Sequence, residues 1–275
     1  MNGARIHLSS LRPACCPLII GHRGASAVAP ENTLAAFERA LRDGADGIEC
    51  DVRLARDGVP VVIHDANLRR TGLRAGRVAA LSSADLAAVD VGSWFNRRYP
   101  ARARAEYAGE CVPTLHRVLE SLRQRGAILY VEMKCTSQEA GPLAAAVVRL
   151  VRAHGLVEKA VIESFTLDAL RQIKRIAPEM RTAALFERKL TRPVPSWQGI
   201  IKEAIECEAN EIALHSSLVT RRIVEAARDL GLLTVVWTVD SPRWIERAAS
   251  LGLHAVITNK PALMRASLTK HQTTG

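Results

Sequence analysis

Residues that transfer protons and bind oxyanions follow several short apolar segments near the start of this 275-residue chain. The first segment ends on His22 and Arg23, whose imidazole and guanidinium suit proton transfer and oxyanion binding. A second segment ends at Glu49 and Asp51, and a third ends at His64. Two histidines, two carboxylates and an arginine at strand ends predict phosphoester chemistry around a metal ion.

A β-hairpin is predicted to bring the second and third segments together. Asp57-Gly58 stands between them, and this dipeptide between two apolar runs is a strong hairpin signal. The connection is too short for a parallel crossover. A turn centred on Asp57-Gly58 places Asp51 opposite His64, and opposed residues share a face of the sheet.

Regular alternation of helix and strand patterns begins at Pro113 and continues towards the end of the chain. Nine strands are predicted in all, and eight remain when the hairpin arm carrying His64 is set aside. This pattern predicts the α/β class and a (β/α)8 TIM barrel, as a single domain over residues 18–275. Residues 65–112 interrupt the alternation and predict a small inserted subdomain over one end of the barrel. Residues 1–17 are interpreted as a loose N-terminal leader.

Further charged residues are predicted at the rim where the carboxyl ends of barrel strands meet. Glu132 and Lys134 are two residues apart and project on one side of their strand, as Glu49 and Asp51 do. Three carboxylates facing the interior would repel strongly without a cation, and hard oxygen ligands select Mg²⁺ or Ca²⁺. Arg23 and Lys134 then suit a phosphate, and the two histidines supply an acid and a base. The alternative is a network of ion pairs, Glu132 with Lys134 and Asp51 with Arg23, that serves only the fold.

Composition narrows the classes of partner. The net charge of +10 suits attraction of a phosphate-bearing substrate, but the scattered arginines lack the basic and aromatic runs of a nucleic-acid binder. No apolar run approaches the ~20 residues that span a membrane, and no signal peptide is recognised. The six cysteines contain no CxxC pair, so free thiols in a reducing, cytoplasmic compartment are expected. Cys50 alternates with carboxylates in its strand and is expected to face the helices.

The ordered motifs of the chain resemble the signature of the glycerophosphodiester phosphodiesterase family from about Leu18 to Pro261. Each motif alone is weakly specific, whereas the ordered set is highly specific. The motifs are His22-Arg23-Gly24, Pro30-Glu31-Asn32-Thr33, Glu49-Cys50-Asp51, Asp57-Gly58, His64-Asp65, Glu132-Met133-Lys134 and Trp237-Thr238-Val239. The resemblance implies metal-dependent hydrolysis of glycerophosphodiesters to sn-glycerol 3-phosphate and an alcohol. In the family, the glycerol hydroxyl beside the ester attacks phosphorus, and water then opens the cyclic phosphate.

The resemblance also implies a role for each matching residue. These roles are metal binding for Glu49, Asp51 and Glu132, acid–base catalysis for His22 and His64, and substrate binding for Arg23, Lys134 and Trp237. For Trp237, a purely structural place in the core is the alternative. The charge of Arg23 disfavours a protonated His22, which predicts His22 as the base and His64 as the acid. One position departs from the family, because Asn259 stands where an aspartate is usual and a charge is lost.

Two other functions are compatible with these residues. One is a lysophospholipase D-type activity on the same scaffold, which requires an apolar cleft in the insertion for an acyl chain. The other is a protein that binds phosphodiesters or anionic surfaces without catalysis. That alternative requires a missing histidine or metal ligand, and none is missing. The expected partner is a small-molecule substrate, and the sequence indicates neither the preferred alcohol nor the oligomeric state.

Overall fold

Parallel strands alternate with helices and close on themselves in the computed structural model, which describes residues 16–188 and 195–274. The strands are β1 (Leu18–Gly21), β2 (Gly47–Leu54), β3 (Pro60–Val62), β4 (Ile128–Met133), β5 (Ala160–Ser164), β6 (Arg181–Phe186), β7 (Glu211–His215), β8 (Leu233–Trp237) and β9 (Ala255–Thr258). Strand β1 pairs in parallel with both β2 and β9, which closes the barrel, and β3 pairs antiparallel with β2 outside it. The predicted (β/α)8 barrel with a hairpin arm is confirmed.

Most of the helices cover the outside of the barrel, and two short ones, α2 (Ser83–Leu86) and α3 (Ser93–Arg98), lie in the insertion. The helices around the barrel are α1 (Leu34–Arg42), α4 (Leu115–Leu122), α5 (Ser137–Ala153), α6 (Leu167–Ile176), α7 (Trp197–Glu206), α8 (Arg221–Asp229), α9 (Arg243–Leu251) and α10 (Pro261–Thr274). The hydroxyl of Thr33 caps α1 by accepting a hydrogen bond from the Ala36 N–H, which stabilises the start of this helix. Within the described ranges, no helix combines the length and hydrophobicity needed to cross a membrane.

The barrel strands are buried on both faces, and alternate residues therefore enter two separate apolar layers. Ile20 packs inside the barrel with Tyr130, whereas Ile19 belongs to the layer between strands and helices. Cys50 is fully buried in a layer that includes Phe37 of α1. Its predicted orientation towards the helices is confirmed, and the carboxylates on either side of it face the barrel interior.

The hairpin is present, but its register differs by one residue from the predicted one. Val52 pairs with Val62, and the Ile63 N–H donates a hydrogen bond of 2.9 Å to the Asp51 carbonyl. Asp51 is therefore opposite Ile63, and the predicted pairing of Asp51 with His64 is wrong. His64 nevertheless reaches the site, because β3 ends at Val62 and the chain turns beyond it.

The length of the hairpin loop explains this shift. The Ala55 N–H donates to the Val59 carbonyl at 3.0 Å, so that the loop contains three residues rather than the two of an Asp-Gly turn. Gly58, with φ of +76°, occupies the left-handed position that closes such a loop. One extra loop residue shifts every cross-strand pair by one.

The segment from 65 to 112 consists of short helices and isolated bridges rather than a sheet. It has an apolar cluster of its own. Bridges join Asn67 to Arg77 and Asp90 to Cys111. The cluster includes Leu68, Val78, Leu86, Val89, Val91 and Val112 and continues onto the hairpin arm. The boundaries of the domain and of this insertion stay predictions, and the leader proposed for residues 1–17 lies almost wholly outside the described residues.

The insertion is fixed to the barrel on the α1 side. Phe95 and Tyr107 pack against Ala29 and Ala36, and the Tyr107 hydroxyl donates a hydrogen bond to the Val28 carbonyl at 3.1 Å. Each buried aromatic side chain removes a large apolar area from water, so two of them stabilise this contact between insertion and barrel strongly. The insertion is therefore held beside the β1 and β2 ends of the barrel.

Candidate active site

Side chains from the carboxyl ends of neighbouring strands surround one cavity of about 330 Å³. Strand β2 lies between β1 and β4, so their last residues are adjacent. The predicted residues that line the cavity are His22, Arg23, Glu49, His64, Glu132, Lys134 and Trp237. Asp51 is fully buried behind this lining, within ion-pair distance of Arg23 and Lys134. The structure thus brings together every residue predicted for the site.

Glu49, Asp51 and Glu132 form a carboxylate cluster in which one oxygen of each lies within 4.8 Å of the others. In the described part of the chain, Glu49 Oε1, Asp51 Oδ1 and Glu132 Oε1 are buried without a directed hydrogen bond. Lys134 Nζ lies 2.7 Å from the Glu132 oxygen and 3.3 Å from the Asp51 oxygen, and the Arg23 guanidinium lies 3.0 Å from the other Asp51 oxygen. These two cations do not balance three carboxylates. Buried oxygens that lack hydrogen bonds fit a hard divalent cation.

The pKa values of the cluster show the cost of placing three carboxylates together. Burial, with the charges of Asp51 and Glu132, raises the pKa of Glu49 well above its usual value. Burial and the charge of Asp51 raise the pKa of Glu132 to about 7. Burial also opposes ionisation of Asp51, but the charges of Arg23 and Lys134 outweigh it and lower the pKa of Asp51. A divalent cation would allow all three groups to ionise together.

Arg23 is held by its backbone and by its side chain. Its Nε lies 3.0 Å from Asp51 Oδ2, its terminal nitrogen donates to Glu31 Oε1 at 2.9 Å, and its backbone N–H donates to Glu49 Oε2 at 2.8 Å. The backbone of Arg23 is left-handed, with φ of +53°, at a cost of about 1–2 kcal/mol that these contacts offset. A Cβ at the adjacent Gly24 would lie 2.5 Å from the backbone of α1, so glycine is required there.

The Pro30-Glu31-Asn32-Thr33 motif supports the site as well as starting α1. Asn32 Nδ2 donates to Asp51 Oδ2 at 2.7 Å, and Asn32 Oδ1 accepts a hydrogen bond from the Asp51 N–H at 3.2 Å. In the sequence, this motif indicated only the family resemblance. The clamp on Asp51 was missed, because it requires Asn32 to adopt a left-handed backbone, with φ of +58°.

His22 is oriented by an amide rather than by a carboxylate. Its Nδ1 lies 2.7 Å from Asn259 Oδ1, and its Nε2 faces the carboxylate cluster, 4.0 Å from Glu49 Oε2. Burial and the charge of Arg23 lower the pKa of His22 to about 4, although Asn259 and Asp51 act in the opposite direction. The imidazole is therefore neutral at physiological pH, with one nitrogen facing the cavity.

His64 is oriented by a chain of ion pairs. Its Nδ1 lies 2.7 Å from Asp65 Oδ1, and Asp65 Oδ2 accepts a hydrogen bond from Arg70 Nε at 2.7 Å. Arg70 in turn donates to both oxygens of Glu31, at 2.6 and 2.8 Å, and Glu31 binds Arg23. The two arginines and two carboxylates of this chain connect the insertion to the first strand.

Opposing charges act on His64. Burial lowers its pKa below the usual value, and the charges of Arg23 and Lys134 act in the same direction. The carboxylates of Asp51 and Asp65 raise it and offset part of that shift. His64 thus lies within reach of the Asp51 charge, although the hairpin register does not pair the two residues.

Glu163 is a buried carboxyl group that the sequence analysis did not identify. Glu163 lies on β5, where it pairs with Glu132 of the neighbouring strand β4, and it lines the same cavity. Its Oε2 is buried without a hydrogen-bond partner in the described part of the chain. Burial and the charges of Glu49 and Glu132 raise its pKa well above the usual value. A glutamate inside the apolar strand sequence Ala160–Ser164 was the available signal.

Trp237 forms part of the cavity wall opposite the carboxylate cluster. Its Nε1 donates a hydrogen bond to the Ala213 carbonyl at 3.1 Å, and its ring contacts Phe165 and His215 edge-on. Because the indole N–H is engaged by the backbone, the ring offers the cavity an apolar surface.

Comparison with known proteins gives a consistent result along nearly the whole chain. The model of the glycerophosphoryl diester phosphodiesterase family matches residues 22–263. A glycerophosphodiester phosphodiesterase from Caldanaerobacter subterraneus is 32% identical over 244 residues, which covers 89% of this chain and 94% of the relative. The enzyme of the same name from Bacillus subtilis is 32% identical over 252 residues, which covers 90% of this chain and 84% of that relative.

Solved structures of similar proteins share the barrel. A glycerophosphodiester phosphodiesterase from Agrobacterium tumefaciens is 32% identical with a TM-score of 0.76, and the match covers 91% of this chain and 99% of the other. An Oleispira antarctica phosphodiesterase, solved with the product sn-glycerol-3-phosphate, is 27% identical with a TM-score of 0.81 and covers 92% and 97%.

Proposed function

The chain belongs to the glycerophosphoryl diester phosphodiesterase family and is a phosphodiesterase, and on this premise we propose its substrate, its cofactor and its residue roles. It hydrolyses glycerophosphodiesters to sn-glycerol 3-phosphate and an alcohol, with one divalent cation, Mg²⁺ or Ca²⁺. The observation that carries the proposal is the placement of three carboxylates, two cations and two histidines around one cavity. The product held by the Oleispira antarctica phosphodiesterase supports the glycerol phosphate part of the substrate.

Glu49, Asp51 and Glu132 would hold the cation, because their oxygens are mutually close and three of them lack directed hydrogen bonds. The bound cation would supply positive charge against the charge that develops on the phosphoryl oxygens. Arg23 and Lys134 line the same cavity and bind the remaining phosphate oxygens. Both are tied to Asp51, so their positions are fixed before substrate arrives.

His22 acts as the base in the first step. Its pKa of about 4 leaves the imidazole neutral, and its Nε2 accepts the proton of the glycerol hydroxyl next to the ester. That hydroxyl oxygen forms a bond to phosphorus while the bond to the alcohol oxygen breaks. The product of this step is a cyclic phosphate, so no serine or cysteine nucleophile is required.

His64 acts as the acid for the departing alcohol. Asp65 engages Nδ1 and stabilises the protonated imidazole, which leaves the other ring nitrogen to donate its proton. In the second step the roles reverse, because His64 takes a proton from water as it opens the ring and His22 returns a proton to the glycerol oxygen.

Hydrolysis of glycerophosphocholine and glycerophosphoethanolamine tests this function directly. We expect sn-glycerol 3-phosphate to form in the presence of Mg²⁺ or Ca²⁺, with a cyclic phosphate visible by ³¹P NMR before it is consumed. An analogue without the hydroxyl beside the ester is expected not to react. Turnover of that analogue at the rate of the parent compound would exclude the cyclic route, and no turnover of any glycerophosphodiester would exclude the function.

A lysophospholipase D-type activity is the second candidate, and one feature of the insertion supports it. An open cleft of about 530 Å³ presents Leu73, Trp94 and Tyr99 beside Arg97 and Arg98. This surface offers apolar contact for an acyl chain, although arginines flank it. Glu31 and Arg70 line the cleft and also belong to the ion-pair chain behind the site, so the two spaces are neighbours. Assay of a lysophospholipid beside glycerophosphocholine distinguishes the two activities.

A further inference from the structure

Asn259 links His22 to a carboxylate that does not touch the cavity. Asn259 Oδ1 is close to both His22 Nδ1 and Ser26 Oγ, at 2.7 Å each, and Asn259 Nδ2 donates to Asp240 Oδ2 at 2.8 Å. The other oxygen of Asp240 accepts hydrogen bonds from the Asn259 backbone N–H at 2.8 Å and from Thr258 Oγ1 at 3.0 Å. Both oxygens of Asp240 therefore bind Thr258 and Asn259, at the end of β9.

The chemistry of these groups fixes the orientation of the amide. A carboxylate only accepts hydrogen bonds, so the side of Asn259 that faces Asp240 must be the NH₂ group. Its carbonyl oxygen then faces His22 and can only accept. The hydrogen of the neutral imidazole must consequently be on Nδ1, and the lone pair is on Nε2, which faces the carboxylate cluster. Without Asp240, the amide could rotate by 180° and offer its NH₂ group to the histidine.

We propose that Asp240 is a positioning residue that acts through Asn259 to hold His22 in the tautomer with its lone pair on Nε2. The inference rests on the proposed function of His22 as the base. It also accounts for the departure from the family at position 259. An aspartate at 259 would accept from His22 directly, but it would place a second carboxylate within 2.8 Å of Asp240, where the two would repel. Asn259 and Asp240 therefore form a matched pair.

Variants that exchange the carboxylate of Asp240 and the amide of Asn259 test whether the two residues act as a pair. In Asp240→Asn, the single remaining oxygen at position 240 cannot accept from both the backbone N–H and the side chain of Asn259. We expect kcat for glycerophosphocholine to fall about 10-fold with KM nearly unchanged. Asn259→Asp is expected to lose a similar factor, because two carboxylates meet.

The double variant Asp240→Asn/Asn259→Asp should recover most of kcat. Its amide at 240 can accept from the backbone N–H and the Thr258 hydroxyl and donate to the carboxylate at 259, which in turn accepts from His22. Asp57→Asn is the matched control, since Asp57 also accepts two hydrogen bonds, from Ser83 in the insertion. We expect the control to keep the kcat of the unmodified protein.

The tautomer itself is measured by ¹⁵N NMR of histidine-labelled protein, with His22→Ala to assign the resonance. We expect the Nδ1–H form in the unmodified protein and in the double variant, and a mixture in Asp240→Asn. An unchanged tautomer in Asp240→Asn, or a double variant as slow as the two losses multiplied, would overturn the proposal. Loss of the proposed function is recognised separately, because His22→Ala would then keep full turnover while the NMR result stands.

Discussion

The two histidines of the site receive different kinds of support from two regions of the molecule. His22 follows a barrel strand and is held by the neutral amide of Asn259. His64 follows the hairpin arm and is held by Asp65, which a charged chain connects to the insertion. The barrel thus provides a neutral partner for the histidine that we propose as the base. The edge shared by hairpin and insertion provides an ionic partner, which suits the proposed role of His64 as an acid that must carry a positive charge.

The carboxylate cluster lies between these two regions, and its loss should have the largest effect. Chelation is expected to abolish turnover and lower the temperature of unfolding, and Mg²⁺ or Ca²⁺ should restore both, because the proposed ion would bind the three carboxylates only when the folded protein brings them together. Glu49→Gln should have the opposite effect on the stability of the metal-free protein. Burial and the charges of Asp51 and Glu132 raise the pKa of Glu49, and a glutamine removes the cost of keeping an ionisable group there. The unfolding temperature of the metal-free variant should therefore rise, while the shift caused by metal shrinks.

The measurement is thermal unfolding with and without chelator, beside turnover of glycerophosphocholine. Full activity after exhaustive dialysis against excess chelator would contradict the metal assignment. An unfolding temperature that responds to metal equally in Glu49→Gln would remove Glu49 from the ligand set.

The two histidines should differ when the leaving group changes. Each of His22→Ala and His64→Ala is expected to reduce turnover of glycerophosphocholine by about 10²–10⁴-fold, as general acid–base groups typically contribute. Nitrophenolate departs without help from an acid. With a glycerol nitrophenyl phosphodiester, His64→Ala should therefore recover much more activity than His22→Ala.

The difference in activity between the two substrates decides which histidine is the acid and which is the base. Recovery in His22→Ala instead would reverse the two roles, and equal losses with both substrates would show that neither histidine protonates the leaving group. Circular dichroism of each variant checks that the barrel is intact.

The ionic support of His64 should be visible in the pH dependence. In its proposed role as the acid, His64 must be protonated, so turnover of a substrate with a poor leaving group should fall as pH rises through the pKa of His64, which is below the usual value. Asp65 raises that pKa, and Asp65→Asn should therefore move the alkaline limb to lower pH and reduce turnover at pH 7 by about 10-fold.

The nitrophenyl substrate provides the control for this experiment, because its alkaline limb should not move. The limb set by His22 is expected near pH 4 and should be the same in both proteins. A shift of the acidic limb alone would show that Asp65 acts on the base rather than on the acid.

The strand ends were predictable from sequence for a simple reason. Apolar segments with regular spacing define parallel strands, and a closed parallel barrel brings their carboxyl ends to one rim whatever the loops do. His22, Glu49 and Glu132 could therefore be placed together without any knowledge of the contacts between them. The family resemblance gave the same residues independently.

The supporting contacts could not be predicted in the same way. The hairpin register depended on whether the loop had two or three residues, and both are compatible with Asp57-Gly58. Glu163 gains significance only when its neighbours are known to be carboxylates. The amide of Asn259 was read as a lost charge, because Asp240 is close to it only in the folded barrel.

The insertion should affect substrate choice more than chemistry, and this is the smallest effect we expect. Leu73 and Tyr99 are 47% and 37% exposed in the cleft, so changing them to alanine should leave the barrel intact. If an acyl chain packs there, each substitution removes part of its apolar contact, which at about 25 cal/mol per Å² corresponds to a few-fold change. KM for a lysophospholipid should rise by that factor, while KM for glycerophosphocholine is unaffected.

Leu230→Ala is the control, because Leu230 is also an exposed leucine but lies outside the insertion. Equal changes for both substrates would show that the cleft supports the fold around Arg70 instead of selecting the substrate.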